Sequence, residues 1–147
     1  MKETQKNPLY SHEEKTPVEI SENRWKEILP AEVYEIARRK GTERPFTGKY
    51  YQFDEIGTYY CAACGNPLFR SNGKFHSSCG WPSFFEPISK ESLIYVPDHS
   101  HGMVRTEVEC GRCKAHLGHV FEDGPPPTGL RYCINSVVLD FEKKEEG

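Results

Sequence analysis

Six cysteines stand among the 147 residues, and their spacing sorts them into ligand-like and redox-like groups. Cys61 and Cys64 enclose two alanines and are followed by Gly65, while Cys110 and Cys113 enclose Gly111 and Arg112. Two such Cys-x-x-Cys knuckles, each following a strand-like segment, can bring four thiolates into the closed tetrahedron of a structural zinc site. Two independent redox motifs are the alternative, but neither pair has the strand-to-helix context of a thioredoxin-like site. With no open ligand position, such an ion stabilises and does not catalyse.

Subtracting these four leaves Cys79 and Cys133. Cys133 lies in the run RYCINS, Arg131 to Ser136. If the run continues as one strand to Phe141, a period of two puts Arg131, Cys133 and Asn135 on one face and Tyr132, Ile134 and Ser136 on the other. A thiol between a cation and an amide suits a reactive cysteine, because a nearby positive charge favours the nucleophilic thiolate. A buried structural cysteine fits the same stretch, since free cysteine is among the most buried residue types. Cys79 sits in Ser77-Ser78-Cys79-Gly80-Trp81-Pro82, a loop by its Ser, Gly and Pro content. Either it is incidental, or a mobile second thiol is present to resolve an oxidised Cys133 as a disulfide.

Two histidines follow the second knuckle, His116 and His119 in HLGHVF. On a helix they would share a face, as metal ligands or as ordinary polar positions. If instead the loop DGPPPTG, Asp123 to Gly129, closes a hairpin centred on Pro126, His119 falls opposite Cys133. Cross-strand Cβ atoms lie about 4.5–5.5 Å apart, which sets an acid/base beside the thiol, as nucleophilic catalysis requires. A slip of one residue would reverse the faces. Trp81 and Phe84, near Cys79, can line a small apolar pocket or belong to the core. His12, His99 and His101 fall in tail or turn segments and are expected to be solvated.

The elements that must position these groups are legible in outline. A chain of this length fits one domain burying roughly 68–70% of its unfolded surface. Residues 1–20 are rich in Lys, Glu and Thr and read as a mobile tail, with a single domain over 21–147. Residues 21–41 read as a helical cover, with Ser21 as a cap, Pro30 opening a second helix, Val33, Ile36 and Ala37 at helical spacing, and Gly41 as terminator. Residues 42–141 read as a zinc-stabilised β core. Its expected strands are Lys49 to Phe53, Thr58 to Cys61, Pro67 to Phe69, Leu93 to Val96, Met103 to Val108 and Tyr132 to Phe141.

A net charge of only −3 offers no basic field for nucleic acid or an anionic membrane surface. The first residues, MKETQKNPLY, lack an apolar signal core, and no run nears the roughly 18 apolar residues of a spanning helix. The expectation is a cytoplasmic protein, and one pocket on a small acidic domain is compatible with a monomer.

Taken together, CAAC, CGWPSF, CGRC, HLGHVF, DGPPPTG and RYCINS, in this order and spacing from about Gly41 to Phe141, resemble methionine sulfoxide reductase B. That family reduces the R epimer of methionine sulfoxide. The resemblance implies a mainly β fold of two twisted antiparallel sheets, with structural zinc away from the active site. By matching positions, Cys133 would attack the sulfoxide sulfur and His119 would protonate the departing oxygen. Asn135 and His116 would orient the substrate, Trp81 would pack on its ε-methyl group, and Arg131 would support the thiolate. Cys133 would be left as a sulfenic acid, Cys79 would displace water to form a disulfide, and thioredoxin would reduce it. Relatives commonly carry Asp and Gly where this chain has His76 and Ser78, which predicts a stiffer or differently hydrogen-bonded loop before Cys79. A zinc-stabilised module that binds a peptide or small ligand without catalysis is the reading from another class. It leaves the grouping around Cys133 without a purpose, and selective oxidation of Cys133 at low peroxide dose would separate the two.

Overall fold

Two antiparallel sheets carry the core of the computed structural model, which describes residues 7–144. The outermost ends of the expected tail and of the expected 21–147 domain lie outside the described residues. In chain order the elements are α1 (Glu22–Ile28), α2 (Ala31–Ala37), β1 (Gly57–Cys61), β2 (Pro67–Arg70), β3 (Lys74–Phe75), β4 (Ser83–Phe84), β5 (Leu93–Asp98), β6 (Arg105–Cys110), β7 (His116–Phe121), β8 (Arg131–Ile134) and β9 (Leu139–Lys143). The smaller sheet runs β2-β1-β9 and the larger β3-β4-β8-β7-β6-β5. The mainly β class with short N-terminal helices is as expected.

Ser21 caps α1 by accepting from the Arg24 amide, and Trp25, Val33, Ile36 and Ala37 turn the buried faces of the two helices inward. Gly41 is not the terminator. The chain reverses one residue earlier, with Lys40 at φ 60°, and the Lys40 ammonium is tied 3.1 Å from Glu107. Residues 7–20 form neither helix nor strand, yet several of them bond to the two knuckles, as described below.

Two strand expectations and one pocket expectation are corrected. Lys49 to Phe53 is a pair of tight turns, with the Tyr51 amide on Gly48 O and the Phe53 amide on Tyr50 O. Its aromatics are recruited as rings, Tyr50 meeting Phe53 and Tyr59 edge-on at 5.0 and 5.5 Å, and not as a ladder. The run from Tyr132 to Phe141 is two strands in different sheets, β8 and β9, separated by a 3₁₀ turn over Ser136–Val138. Phe84 is fully buried, stacked on Phe69 with ring centroids 4.2 Å apart, so it belongs to the core and not to a pocket. Burying such a side chain contributes roughly 1.5–3 kcal/mol. No helix among the described residues is long and apolar enough to cross a membrane.

Candidate active site

The four knuckle sulfurs lie at the ends of β1 and β6, all buried and within 4.8 Å of one another. Each knuckle folds back on its own strand. Cys61 N–H bonds Asn66 O and Gly65 N–H bonds Cys61 O; Cys110 N–H bonds Ala115 O and Lys114 N–H bonds Cys110 O. The returning residue takes a positive φ in both, 82° at Gly65 and 65° at Lys114. Cys61 and Cys113 sulfurs are 3.8 Å apart and those of Cys64 and Cys110 3.6 Å. A tetrahedron with Zn–S bonds near 2.3 Å has edges of roughly 3.8 Å, so the donor set fits a zinc ion. The surroundings fit its charge as well. The Arg112 amide and the Asn66 side chain donate to Cys110 Sγ, and the buried Arg112 guanidinium bonds the carbonyls of Leu9, Thr16 and Cys64. A buried cation there offsets the excess negative charge of four thiolates on a divalent ion.

Cys133 sits on β8, paired on one side with Ser83 of β4 and on the other with His119 of β7. The second pairing is the register expected from the loop centred on Pro126. The first explains how Cys79 arrives: four residues before Ser83, its loop folds back over the same strand. Cys79 Sγ lies 3.0 Å from Cys133 Sγ and 3.4 Å from Ser83 Oγ, and it donates to Trp81 O. Gly80, at φ 100°, leaves no room for a side chain, since an added Cβ would fall 2.6 Å from Pro45. The Tyr51 hydroxyl donates to Ser77 O, Cys79 N–H donates to Ser77 Oγ, and His76 pairs with Asp54 at 2.8 Å.

Arg131 Nη1 donates to Cys133 Sγ at 2.7 Å, and its guanidinium is held from behind by Asp123 at 2.8 and 3.0 Å. The hydrogen bond from Cys133 holds Cys79 far below the ordinary thiol range, at about 4, and the same contact together with burial pushes Cys133 up. These belong to one dithiol that gives up its first proton readily and its second with difficulty. Arg131 opposes the rise at Cys133 and favours charge on that sulfur.

Both histidines carry a carboxylate. His119 Nε2 bonds Asp98 at 2.7 Å, and Asp98 also takes Arg105 at 3.3 Å and the Ser100 amide at 2.9 Å. The Ser100 amide and His119 hold the Asp98 carboxyl below its ordinary range. His116 Nδ1 bonds Glu107 at 2.8 Å, deep under the surface. Burial lowers His116, with Glu107 opposing. Burial alone would raise Glu107, but His116 and Lys40 outweigh it and bring it down. In each histidine the second ring nitrogen is left for a ligand.

One cleft of about 670 Å³ is lined by all of the expected non-metal residues: Cys79, Trp81, His116, His119, Arg131, Cys133 and Asn135. Asn135 lies beyond the end of β8 yet stays on the cleft face, giving one Nδ2 hydrogen to Leu117 O and accepting from Glu43 N–H. The Trp81 indole donates to Glu43 O. Sequence reading missed Asp98, Glu107, Lys40, Glu43 and Asp123. Only Asp123 had a signal, because alternation from His119 through Phe121 carries to it on the face of Arg131. The four knuckle cysteines close a different site from this cleft. No disulfide joins any two of the six cysteines.

The SelR domain family matches residues 29–143. The chain is similar to the peptide methionine sulfoxide reductase MsrB of Pseudomonas putida (strain W619), 61% identical over 82% of this chain and 91% of that protein. It is also similar to that of Pseudomonas syringae pv. syringae (strain B728a), 61% identical over 80% of this chain and 89% of the relative. The protein of the same name from Thioalkalivibrio sulfidiphilus (strain HL-EbGR7) is 54% identical over 90% of this chain and 96% of its own length.

Proposed function

Because the chain belongs to the SelR-domain family, that of the peptide methionine sulfoxide reductases MsrB, we propose that it reduces the R epimer of methionine sulfoxide in oxidised proteins through Cys133. The observation that carries this reading is the setting of Cys133 Sγ, with the Arg131 guanidinium at 2.7 Å and the Cys79 sulfur at 3.0 Å in one cleft. The Cys133 thiolate attacks the sulfoxide sulfur while His119, oriented by Asp98, delivers a proton to the oxygen. The oxygen then passes from the substrate sulfur to Cys133 Sγ as the new sulfur–sulfur bond breaks, which releases methionine and leaves Cys133 as a sulfenic acid. Cys79 then attacks Cys133 Sγ and the oxygen leaves as water. The balance is one sulfoxide and two thiols to one sulfide, one disulfide and one water. Thioredoxin or another dithiol returns the pair to the reduced state.

The remaining residues bind and orient. Trp81 packs against the substrate methyl group, and the second amide hydrogen of Asn135 and the free nitrogen of His116 hold the sulfoxide. Cys61, Cys64, Cys110 and Cys113 hold a zinc ion that stabilises the fold and takes no part in the reaction. The test is a single turnover. Reduced protein is mixed separately with the R and S epimers of a peptide methionine sulfoxide, and methionine and free thiols are counted. Methionine from the R epimer alone, with two thiols lost per chain and none formed by Cys133→Ser, is the expected result. No methionine from either epimer, in protein shown to hold its zinc, would overturn the reading in favour of a binding module.

A further inference from the structure

The segment between α2 and the first knuckle supplies none of the expected site residues, yet Glu43 within it bonds to both Trp81 and Asn135 of the cleft wall. Glu43 donates its amide to Asn135 Oδ1 at 2.9 Å, accepts the Trp81 indole N–H on its carbonyl at 3.1 Å, and accepts the Val137 amide on Oε1 at 3.0 Å. Val137 lies in the 3₁₀ turn that follows Asn135, so Glu43 grips Asn135 directly and through the backbone two residues beyond it. The other carboxylate oxygen is buried with no partner. Gly48 closes over it, where an added Cβ would fall 2.4 Å from Oε2 and 2.2 Å from Ser136 Oγ. The neighbouring backbone continues the tie, with Phe46 N–H on Gly80 O at 2.7 Å beside Cys79.

We propose that Glu43 is a positioning residue for the sulfoxide site, whose carboxylate, anchored on the turn after Asn135, fixes the distance between Trp81 and Asn135 across the cleft. This rests on the reductase reading for the identity of the ligand, but not for the coupling itself. Trp81 and Asn135 come from segments over fifty residues apart in sequence; Ile134 N–H to Pro82 O at 3.0 Å ties the backbones beside them, but among the described residues only Glu43 is hydrogen-bonded to both side chains. An isolated carboxylate with an unpartnered buried oxygen costs stability wherever it is placed. Its retention at this junction fits a role in holding the two walls of the site. An acceptor on the same arm is what the geometry requires, since the bond to Val137 is an N–H donating to oxygen.

The test compares Glu43→Ala with Glu43→Gln in the full chain. Glu43→Ala raises KM for a methionine sulfoxide peptide roughly tenfold, the factor that about 1.4 kcal/mol of lost positioning represents, with a smaller fall in kcat. Glu43→Gln, which keeps a carbonyl oxygen for Val137, restores most of it. The indole N–H of Trp81 exchanges with solvent faster in Glu43→Ala than in the parent chain, and this readout needs no turnover. Should Glu43→Ala fail to fold, Glu43→Met, which fills the space but offers Val137 no oxygen, is combined with Trp81→Phe instead. Coupled residues give a double variant less impaired than the product of the single effects. Unchanged KM and indole exchange in folded Glu43→Ala, or simple multiplicativity in the combined variant, overturns the proposal. A parent chain that turns over no sulfoxide refutes the reductase reading and leaves the indole exchange to judge Glu43.

Discussion

Replacing Arg131 by methionine removes the cation beside Cys133, together with its stacking over Phe121, while keeping most of the side chain's aliphatic length. The Arg131 side chain is only 17% exposed and its guanidinium lies 2.7 Å from the sulfur, so solvent screens the contact weakly. Coulomb attraction at an effective dielectric of 20 gives about 6 kcal/mol at this separation, an upper figure for a contact shared with Asp123. Hydrogen bonds to charged groups contribute roughly 1.5–3 kcal/mol, which is the range adopted. At 1.36 kcal/mol per pH unit, Cys133 then ionises about one to two pH units higher, and the thiolate present at pH 7 falls roughly 10- to 100-fold. A more basic thiolate is a better nucleophile, with a Brønsted slope near 0.4–0.5, so the attack itself slows only about 3- to 10-fold. The measurement is made in a Cys79→Ser background, where Cys133 titrates alone. Iodoacetamide alkylation is followed against pH, and methionine release in a single turnover is timed at pH 7. An alkylation midpoint unmoved by Arg131→Met, with methionine release within twofold of the parent, would refute the role given to Arg131.

Further outcomes follow from the same contacts. Cys79→Ser should form methionine once, lose one thiol per chain and stall with thioredoxin, while normal cycling would remove Cys79 from the recycling step. Cys61→Ser should lose bound zinc, and because structural zinc contributes ~10–16 kcal/mol in small peptides against a typical domain stability of 5–15, it should unfold or melt far lower, as metal analysis and thermal denaturation will show. Arg112→Ala severs the bonds to Leu9, Thr16 and Cys64, so zinc should pass to a chelator several-fold faster, and an unchanged release rate would show that residues 9–16 do not guard the knuckles. Asp98, Glu107 and His116 are all held below their ordinary values in the folded chain. The unfolded chain therefore binds more protons in acid, and the stability these groups contribute is present near pH 7 and is lost as pH falls, from about 6.5 for His116 and lower for the carboxylates. Melting temperature should decline below about pH 6 in zinc-replete protein, less steeply in His116→Asn, and an identical slope would count against it.

Much of the site was legible because it is local. Metal-ligand spacing is a matter of a few residues, and the chain folds Cys61, Cys64, Cys110 and Cys113 into the cluster their pattern anticipates. The pairing of His119 with Cys133 needed only the centre of one hairpin loop. The interruption of the strand after Ile134 was not legible, because Val137 to Phe141 are as β-prone as the residues before them and the change of sheet depends on what they pack against. Two-residue strands such as β3 and β4 carry no pattern at all, although the β4 pairing is what lays Cys79 over Cys133. By itself the sequence indicated which side chains meet in the cleft, since residue type, spacing and hairpin register are short-range properties. Only the tertiary structure decided which charge stands beside each of them, Arg131 and Asp123 at the thiol, Asp98 and Glu107 at the histidines, Glu43 across the cleft. Those partners come together through sheet packing between distant segments, and an electrostatic contact depends on the final distance and burial, which no local pattern encodes.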